Sequence, residues 1–435
     1  MSVFSFSNLL TAYYQCRKNK RRTINAVKFE INFETKLLRL EKELQEKNYR
    51  PGCSICFVVT NPKVREIFAA DFRDRVVHHL LVNYLNPVFE PKFIFHSYAC
   101  RKEKGALKAI KHLQKNTREI TGNFKHQAFY LKIDIVAFFM SLNKRILFEI
   151  IRKYIRNEDI LWLAEKIIFH NPTGNYRKKG QLSLFRLIPE NKSLFTVPAS
   201  QGLPIGNLTS QFFANVYLNE LDQFAKHKLK IRYYQRYVDD ILILHQAPEQ
   251  LKFLRKEINN FLIRNLKLEL HPQKDVLRPI ERGIDFLGYF TKSRAVFVRN
   301  KNVKKLKRLL WEWNRNFSGA KQETPLGSGY KPEPAGNGGK TRLPREKIER
   351  MLATVNSYYG LFCHADTFRL RKHLFEKHFG ILKNYFEPAN KSYGYFYLKN
   401  SKEPAPAICR DEALPRLYEW RRNPISGGHN ERSCH

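Results

Sequence analysis

The sequence predicts an α+β chain, and three observations carry that expectation. Tyr237-Val238-Asp239-Asp240 lies between the β-rich runs Arg232–Arg236 and Ile241–Leu244, the signature of a hairpin closed by a tight turn. Phe129, Leu131 and Ile133 alternate as on a half-buried strand that ends at Asp134. Phe33, Leu37, Leu40 and Leu44, and later Val303, Leu306, Leu310 and Trp313, recur instead at helical spacing.

The chemistry begins in the hairpin. Adjacent carboxylates in an apolar turn repel each other and resist burial, so a cation should neutralise them. Hard oxygen ligands favour magnesium or manganese. A solvated turn would also account for an isolated Asp-Asp pair, and Asp134 alone could cap the helix that follows it. Taken together, the three acids fit a more specific purpose. Carboxylates from two strand ends can hold two divalent ions, which activate an attacking hydroxyl and steady a leaving oxygen in phosphoryl transfer.

Composition narrows the partners. The chain has 435 residues, enough for a substantial core and two or three domains. Its 78 Lys and Arg against 40 acids give a net charge of +38, which points to a polyanionic partner, nucleic acid before membrane. The 21 Tyr and 33 Phe supply the core and add rings suited to stacking on single-stranded bases. No apolar run reaches the length of a membrane span, and no signal-peptide core opens the chain, so no membrane partner is expected. Seven scattered cysteines suit a reducing, cytoplasmic setting. Cys53-Ser54-Ile55-Cys56 is half a zinc knuckle without a second pair nearby and reads as structural.

Over roughly residues 30–290 the ordered motifs resemble those of reverse transcriptases, in the prokaryotic lineage of group II introns, retrons and diversity-generating retroelements. The resemblance implies a right-hand polymerase. Its parts would be a basic helical segment at 1–60, fingers at 61–127 and an antiparallel palm at 128–290 with a surface insertion at 171–198. A helical thumb at 291–385 would enclose a Gly- and Pro-rich loop at 318–342, before a basic tail at 386–435.

The same resemblance makes Asp134, Asp239 and Asp240 the catalytic acids that hold two Mg2+ ions, with Mn2+ as a substitute and Ile135 among the metal contacts. Phe139 matches the aromatic beneath the incoming sugar, and Tyr237 fills the variable half of the hairpin motif. Lys63 and Arg65 stand where basic residues clasp the triphosphate, with an exposed ion pair to Glu66 as the plainer alternative. Arg75 would line the template, as would Arg101 and Lys102 in the basic loop Ser97–Ala106. Lys274 matches the lysine that protonates leaving pyrophosphate, or is a surface lysine. Phe286, Gly288 and Tyr289 match the primer grip, and core packing of Phe286 is an equal alternative.

The most discriminating stretch is Gln201–Asn215. Pro and Gly make a loop, Thr209 or Ser210 can cap a helix, and Phe213, Tyr217, Leu221 and Phe224 mark one helical face. Gly206 lets backbone approach a base or template strand. Ile205 and Gln211 stand where most reverse transcriptases have Gln and Pro. This Ile-Gly-x-x-x-Ser-Gln pattern resembles the diversity-generating branch, and unassigned or phage-defence relatives can show similar substitutions. An alkyl group in place of the amide should weaken polar checking of the nascent base pair and lower fidelity. The implied partners are an RNA template, a DNA primer and its cDNA, and dNTPs. A noncoding RNA or a small basic accessory protein would distinguish defence from diversification. A catalytically silent RNA-binding relative is the remaining reading, and it would not need the full acid triad.

Overall fold

The computed structural model describes residues 2–18, 23–60, 63–292, 294–317 and 344–399, so the expectations for 318–342 and for the tail beyond 399 lie outside the described residues. Helices α1 (Phe6–Arg17), α2 (Ile24–Glu30) and α3 (Phe33–Gln45) lead into strands β1 (Ser54–Val59) and β2 (Arg65–Ala69). Helices α4 (Phe72–Phe89) and α5 (Ala106–Ile120) precede β3 (Phe129–Ile133). Then come α6 (Phe138–Ser141), α7 (Lys144–Tyr154), α8 (Glu158–Phe169) and the short β4 (Tyr176–Lys178). Helix α9 (Leu208–Gln223) feeds the hairpin β5 (Tyr233–Tyr237) and β6 (Asp240–His245), followed by α10 (Pro248–Phe261) and β7 (Val276–Pro279). Strands β8 (Ile284–Phe286), β9 (Tyr289–Thr291) and β10 (Val296–Val298) make a meander. Helices α11 (Asn300–Phe317), α12 (Arg345–Phe362) and α13 (Phe368–His378) and the hairpin β11 (Phe386–Pro388) and β12 (Phe396–Leu398) complete it. The architecture is α+β, as expected.

The central sheet has the antiparallel order β5-β6-β3-β7. β6 lies between β5 and β3, which is why Ile241–Leu244 are all buried rather than alternating. Tyr130 is buried beside Leu131 and Ile133 on the other inner strand, so the half-buried reading of β3 understates its burial. Helices α5 and α10 pack against this sheet. Asparagine and aspartate caps set helix starts nearby: Asp71 accepts from the Arg73 amide, Asn143 from Arg145 and Ile146, and Asn157 from Ile160.

Two segments differ from expectation. Residues 171–198, expected as a surface insertion in the palm, are mostly exposed, but β4 pairs in parallel with β1 and extends the sheet β2-β1-β4. The open edge of β1 carries backbone groups that need partners, and β4 supplies them. Within the same segment Ser193 Oγ and the Leu194 amide donate to Glu66, which is buried and therefore not the exposed partner imagined for Lys63 or Arg65. At the other end, residues 386–399 were assigned to the tail. They form β11–β12, tied to α12 by reciprocal bonds between Asn356 and the Phe396 backbone, each 2.9 Å. Among the described residues, no helix is long and apolar enough to cross a membrane.

Helix α9 corrects a third expectation. It begins at Leu208, so Asn207 occupies the cap position and Thr209 and Ser210 lie buried in the first turn. The Asn207 side chain accepts from the Ala70 amide at 3.1 Å, which pins the preceding loop to the end of β2. The helix is buried all round rather than along one stripe, and it carries Asn215, Asn219 and Asp222 into the interior.

Candidate active site

Strand register brings the acids together. Ile133 pairs with Ile241 across antiparallel strands, so Asp134, one residue on, faces Asp240, one residue back. Such cross-strand neighbours stand about 5 Å apart at Cβ. Asp239 occupies the second place of the two-residue turn that links Tyr237 to Asp240. The end of β3 is held by the following loop: the His271 amide donates to the Asp134 carbonyl at 2.8 Å and Val136 donates to the Glu269 carbonyl at 3.0 Å.

Cations have gathered around these carboxylates. Lys274 Nζ is 2.9 Å from Asp134 Oδ2, and Lys132 Nζ is 3.8 Å from Asp240 Oδ1. Lys132 was missed from the sequence, although its place two residues before Asp134 puts both on one face of β3. Burial first, then Asp240 and Asp134, pushes the Asp239 carboxyl up to about 7; Arg65 opposes this. Asp240 is also raised, chiefly by burial, with Lys132, Lys63 and Arg299 pulling it down. The field of Lys63 and Arg65 therefore reaches the acids from the β1–β2 hairpin.

Three crowded carboxylates, one of them near neutrality in pKa, are a donor set that a divalent cation would relieve. Among the described residues no three His, Cys, Asp or Glu side chains are arranged, as they stand, to hold a metal ion together. That is consistent with Asp134 and Asp240 being turned toward lysines, and magnesium ordinarily draws several ligands from water and phosphate oxygens. The Ile135 side chain is in the core, so only its carbonyl could join a metal shell.

The turn itself is held by a residue that sequence reasoning overlooked. Arg236, fully buried, forms a two-pronged ion pair with Asp222 of α9, at 2.8 and 2.6 Å. Its remaining donors reach the Val238 carbonyl at 3.0 Å, Asn215 Oδ1 at 3.3 Å and Ser97 Oγ at 3.1 Å. Its backbone accepts from Tyr98 and donates to His96, each at 3.0 Å. One guanidinium thus joins α9, the 96–98 loop and the acid-bearing turn. The available signal was an Arg between apolar strand positions with an Asp inside an apolar helix.

The other candidates divide. Phe139 is half-buried on α6, edge-on to buried Phe138 at 5.3 Å. The Ile205 carbonyl accepts from the Phe68 amide at 3.0 Å, and Gly206 has φ 120° with Ile67 Cγ2 2.8 Å from where a Cβ would stand. The close approach that demands glycine here is to β2. Gln211 Oε1 lies 3.4 Å from Cys100 Sγ, Arg75 Nε donates to the Ala70 carbonyl at 2.8 Å, and Lys63 and Lys102 are exposed. Arg101 departs from its assignment to the template: its side chain is 6% exposed and braces its own loop through Glu90 and the Ile94 and Ser97 carbonyls. Tyr237, Phe286 and Tyr289 are buried in the core, with the Tyr289 hydroxyl on the Leu361 carbonyl at 3.2 Å. At that hairpin only Leu287 and Gly288 are presented at the tip.

Comparison with known proteins agrees with this geometry. Protein YkfC of Escherichia coli (strain K12) is 24% identical over 303 residues, covering 61% of this chain and 74% of that protein. The putative COX1/OXI3 intron 2 protein of Saccharomyces cerevisiae is 20% identical over 356 residues, 67% of this chain but 38% of its own length. The mitochondrial nuclear intron maturase 1 of Arabidopsis thaliana is 23% identical over 311 residues, 54% of this chain and 43% of its own. The chain spans less than half the length of these two intron-related proteins. The profile of the reverse transcriptase (RNA-dependent DNA polymerase) family matches residues 59–290, more than half of the chain, and the chain belongs to that family.

Proposed function

We propose that the chain is an RNA-directed DNA polymerase, extending a DNA primer on an RNA template with dNTPs. The observation that carries this reading is the meeting of Asp134, Asp239 and Asp240 at the ends of paired strands, within the field of Lys63 and Arg65. The three carboxylates would hold magnesium ions, with the Ile135 carbonyl as a backbone candidate beside them, and the ions would supply hydroxyl activation and charge neutralisation. Lys63 and Arg65 would offset phosphate charge from the opposite side. Lys274, whose Nζ stands beside Asp134, would be the group that hands a proton to a departing pyrophosphate. The partly exposed ring of Phe139 would supply the bulk against a 2′-hydroxyl.

Within that activity, Ile205 and Gln211 support a low-fidelity enzyme of a diversity-generating retroelement. A defence enzyme working from a noncoding RNA is the alternative that the same loop allows. The intron-related names of two relatives favour a splicing scaffold instead, but such a role would not need this acid corner.

Primer extension on poly(rA)/oligo(dT) tests the reading. Asp239→Asn and Asp240→Asn should each cut extension by at least about a hundredfold while circular dichroism is unchanged. Metal-dependent synthesis persisting in both would overturn it. Ile205→Gln should lower misincorporation opposite template bases; an unaltered error spectrum would remove the low-fidelity proposal.

A further inference from the structure

We infer that the outward face of α5 docks the phosphate backbone of helical RNA outside the catalytic corner. Lys108, Lys111, Lys115 and Arg118 are spaced three and four residues apart, a single stripe on the helix. Ala109, Ile110 and Leu113 are buried on the opposite side, against the sheet. The stripe covers about 15 Å of helix length, long enough to follow several phosphates.

The stripe carries less charge pairing than several other helices of the chain. On α3, α10, α12 and α13 some of the cations meet a carboxylate on their own helix, as in Arg39–Glu43, Lys252–Glu249, Arg345–Glu349 and Lys372–Glu376, and α11 has one such pair, Arg308–Glu312, among several lysines. None of the four stripe residues has an ion pair among the described residues. Of the acids at the two ends, Glu103 is exposed and Glu119 is neutralised by Arg232. A surface that concentrates unpaired cations gains most from a polyanion whose counterions it can release.

The ring chemistry selects a helical partner. Phe95 is 53% exposed beside the first turn of α5, yet one neighbour, His112, stacks on it at 5.1 Å and Lys104 Nζ sits 3.4 Å from its centroid. With an imidazole stacked on that ring and a cation over it, what the surface chiefly offers is charge rather than a stacking platform. Lys104 is down to about 8 through burial and then repulsion from Arg101 and Lys108. The stripe also leads away from the acids. The start of α5 is joined through Tyr98 to Arg236 near the turn, whereas its end meets Arg232 and Gln246 at the far end of β5 and β6. The choice of RNA over DNA rests on the RNA-templated reading; the docking surface itself does not.

The test uses the full chain carrying Lys108→Glu, Lys111→Glu, Lys115→Glu and Arg118→Glu together, with the four Gln changes as a milder set. Fluorescence anisotropy with a blunt RNA duplex should show at least about tenfold weaker binding and a salt slope smaller by about three. The kcat for extension of saturating poly(rA)/oligo(dT) should stay at the parent value. Unchanged duplex affinity and slope in both sets, with the melting temperature retained, would overturn the proposal and leave the stripe to an acidic protein partner. Equal weakening on a DNA duplex of the same sequence would overturn the assignment to RNA. A parent protein that binds duplex RNA through the stripe yet never extends a primer would sink the polymerase reading and leave this one standing.

Discussion

Two hairpins of equal turn length are held in opposite ways. In β5–β6 the central residues are Val238 and Asp239, and in β8–β9 they are Leu287 and Gly288. The second turn has positive φ at both positions, 49° and 89°, the type I′ pattern that suits a right-twisted hairpin, and a glycine takes one of them. The first has φ 55° at Val238, a β-branched residue that resists that region. It is kept there by Arg236, whose guanidinium holds the Val238 carbonyl while paired to Asp222. One turn relies on a glycine at one of its two positive-φ positions, with unbranched Leu287 at the other, and the other turn on a buried network. The costlier device sits under the acids, where backbone position matters to chemistry.

The largest effect should come from removing that network. Arg236→Met leaves the Asp222 carboxylate buried without its counter-charge and should cost about 3–5 kcal/mol in denaturant unfolding. Adding Asp222→Leu removes the stranded charge and should recover more than half of the loss. Extension by the double variant should nonetheless stay well below the parent, because the Val238 carbonyl no longer has its donor. Full activity in the stable double variant would show that Arg236 serves stability alone and that the two hairpins do not differ in kind.

This comparison also separates what could be read from the sequence from what could not. The acid corner was legible because two local patterns, a hairpin and a strand ending in Asp134, are enough once the strands pair in register. Arg236 was not, since the fate of its side chain depends on Asp222 and Asn215 from a helix earlier in the chain. Motif position singled out Arg101 and Phe286 along the chain but said nothing of side-chain direction, and both turn inward. Strand β4 had no periodic signal because three residues are too few, and its pairing answers an open edge on β1 rather than its own pattern.

Gly288→Ala tests the second hairpin. Nothing lies within 4 Å of the added methyl, so the only cost is backbone strain at φ 89°. That should be about 1–2 kcal/mol, read as a lower melting temperature. A neutral result would mean that the tip shifts freely, and that glycine is not what holds this turn.

Val238→Gly should have the smallest net effect, because two terms oppose. Relieving the valine at φ 55° should return about 1–2 kcal/mol. Val238 is also 3% exposed, and losing its buried side chain should remove about 1.5–3 kcal/mol. The balance runs from roughly neutral to about 2 kcal/mol of destabilisation, centred just under about 1 kcal/mol, by thermal denaturation. The sign is the informative part. If the glycine variant were instead clearly more stable than the parent, the valine would be a strained residue with no packing return, and Arg236 would be holding a conformation that glycine adopts unaided.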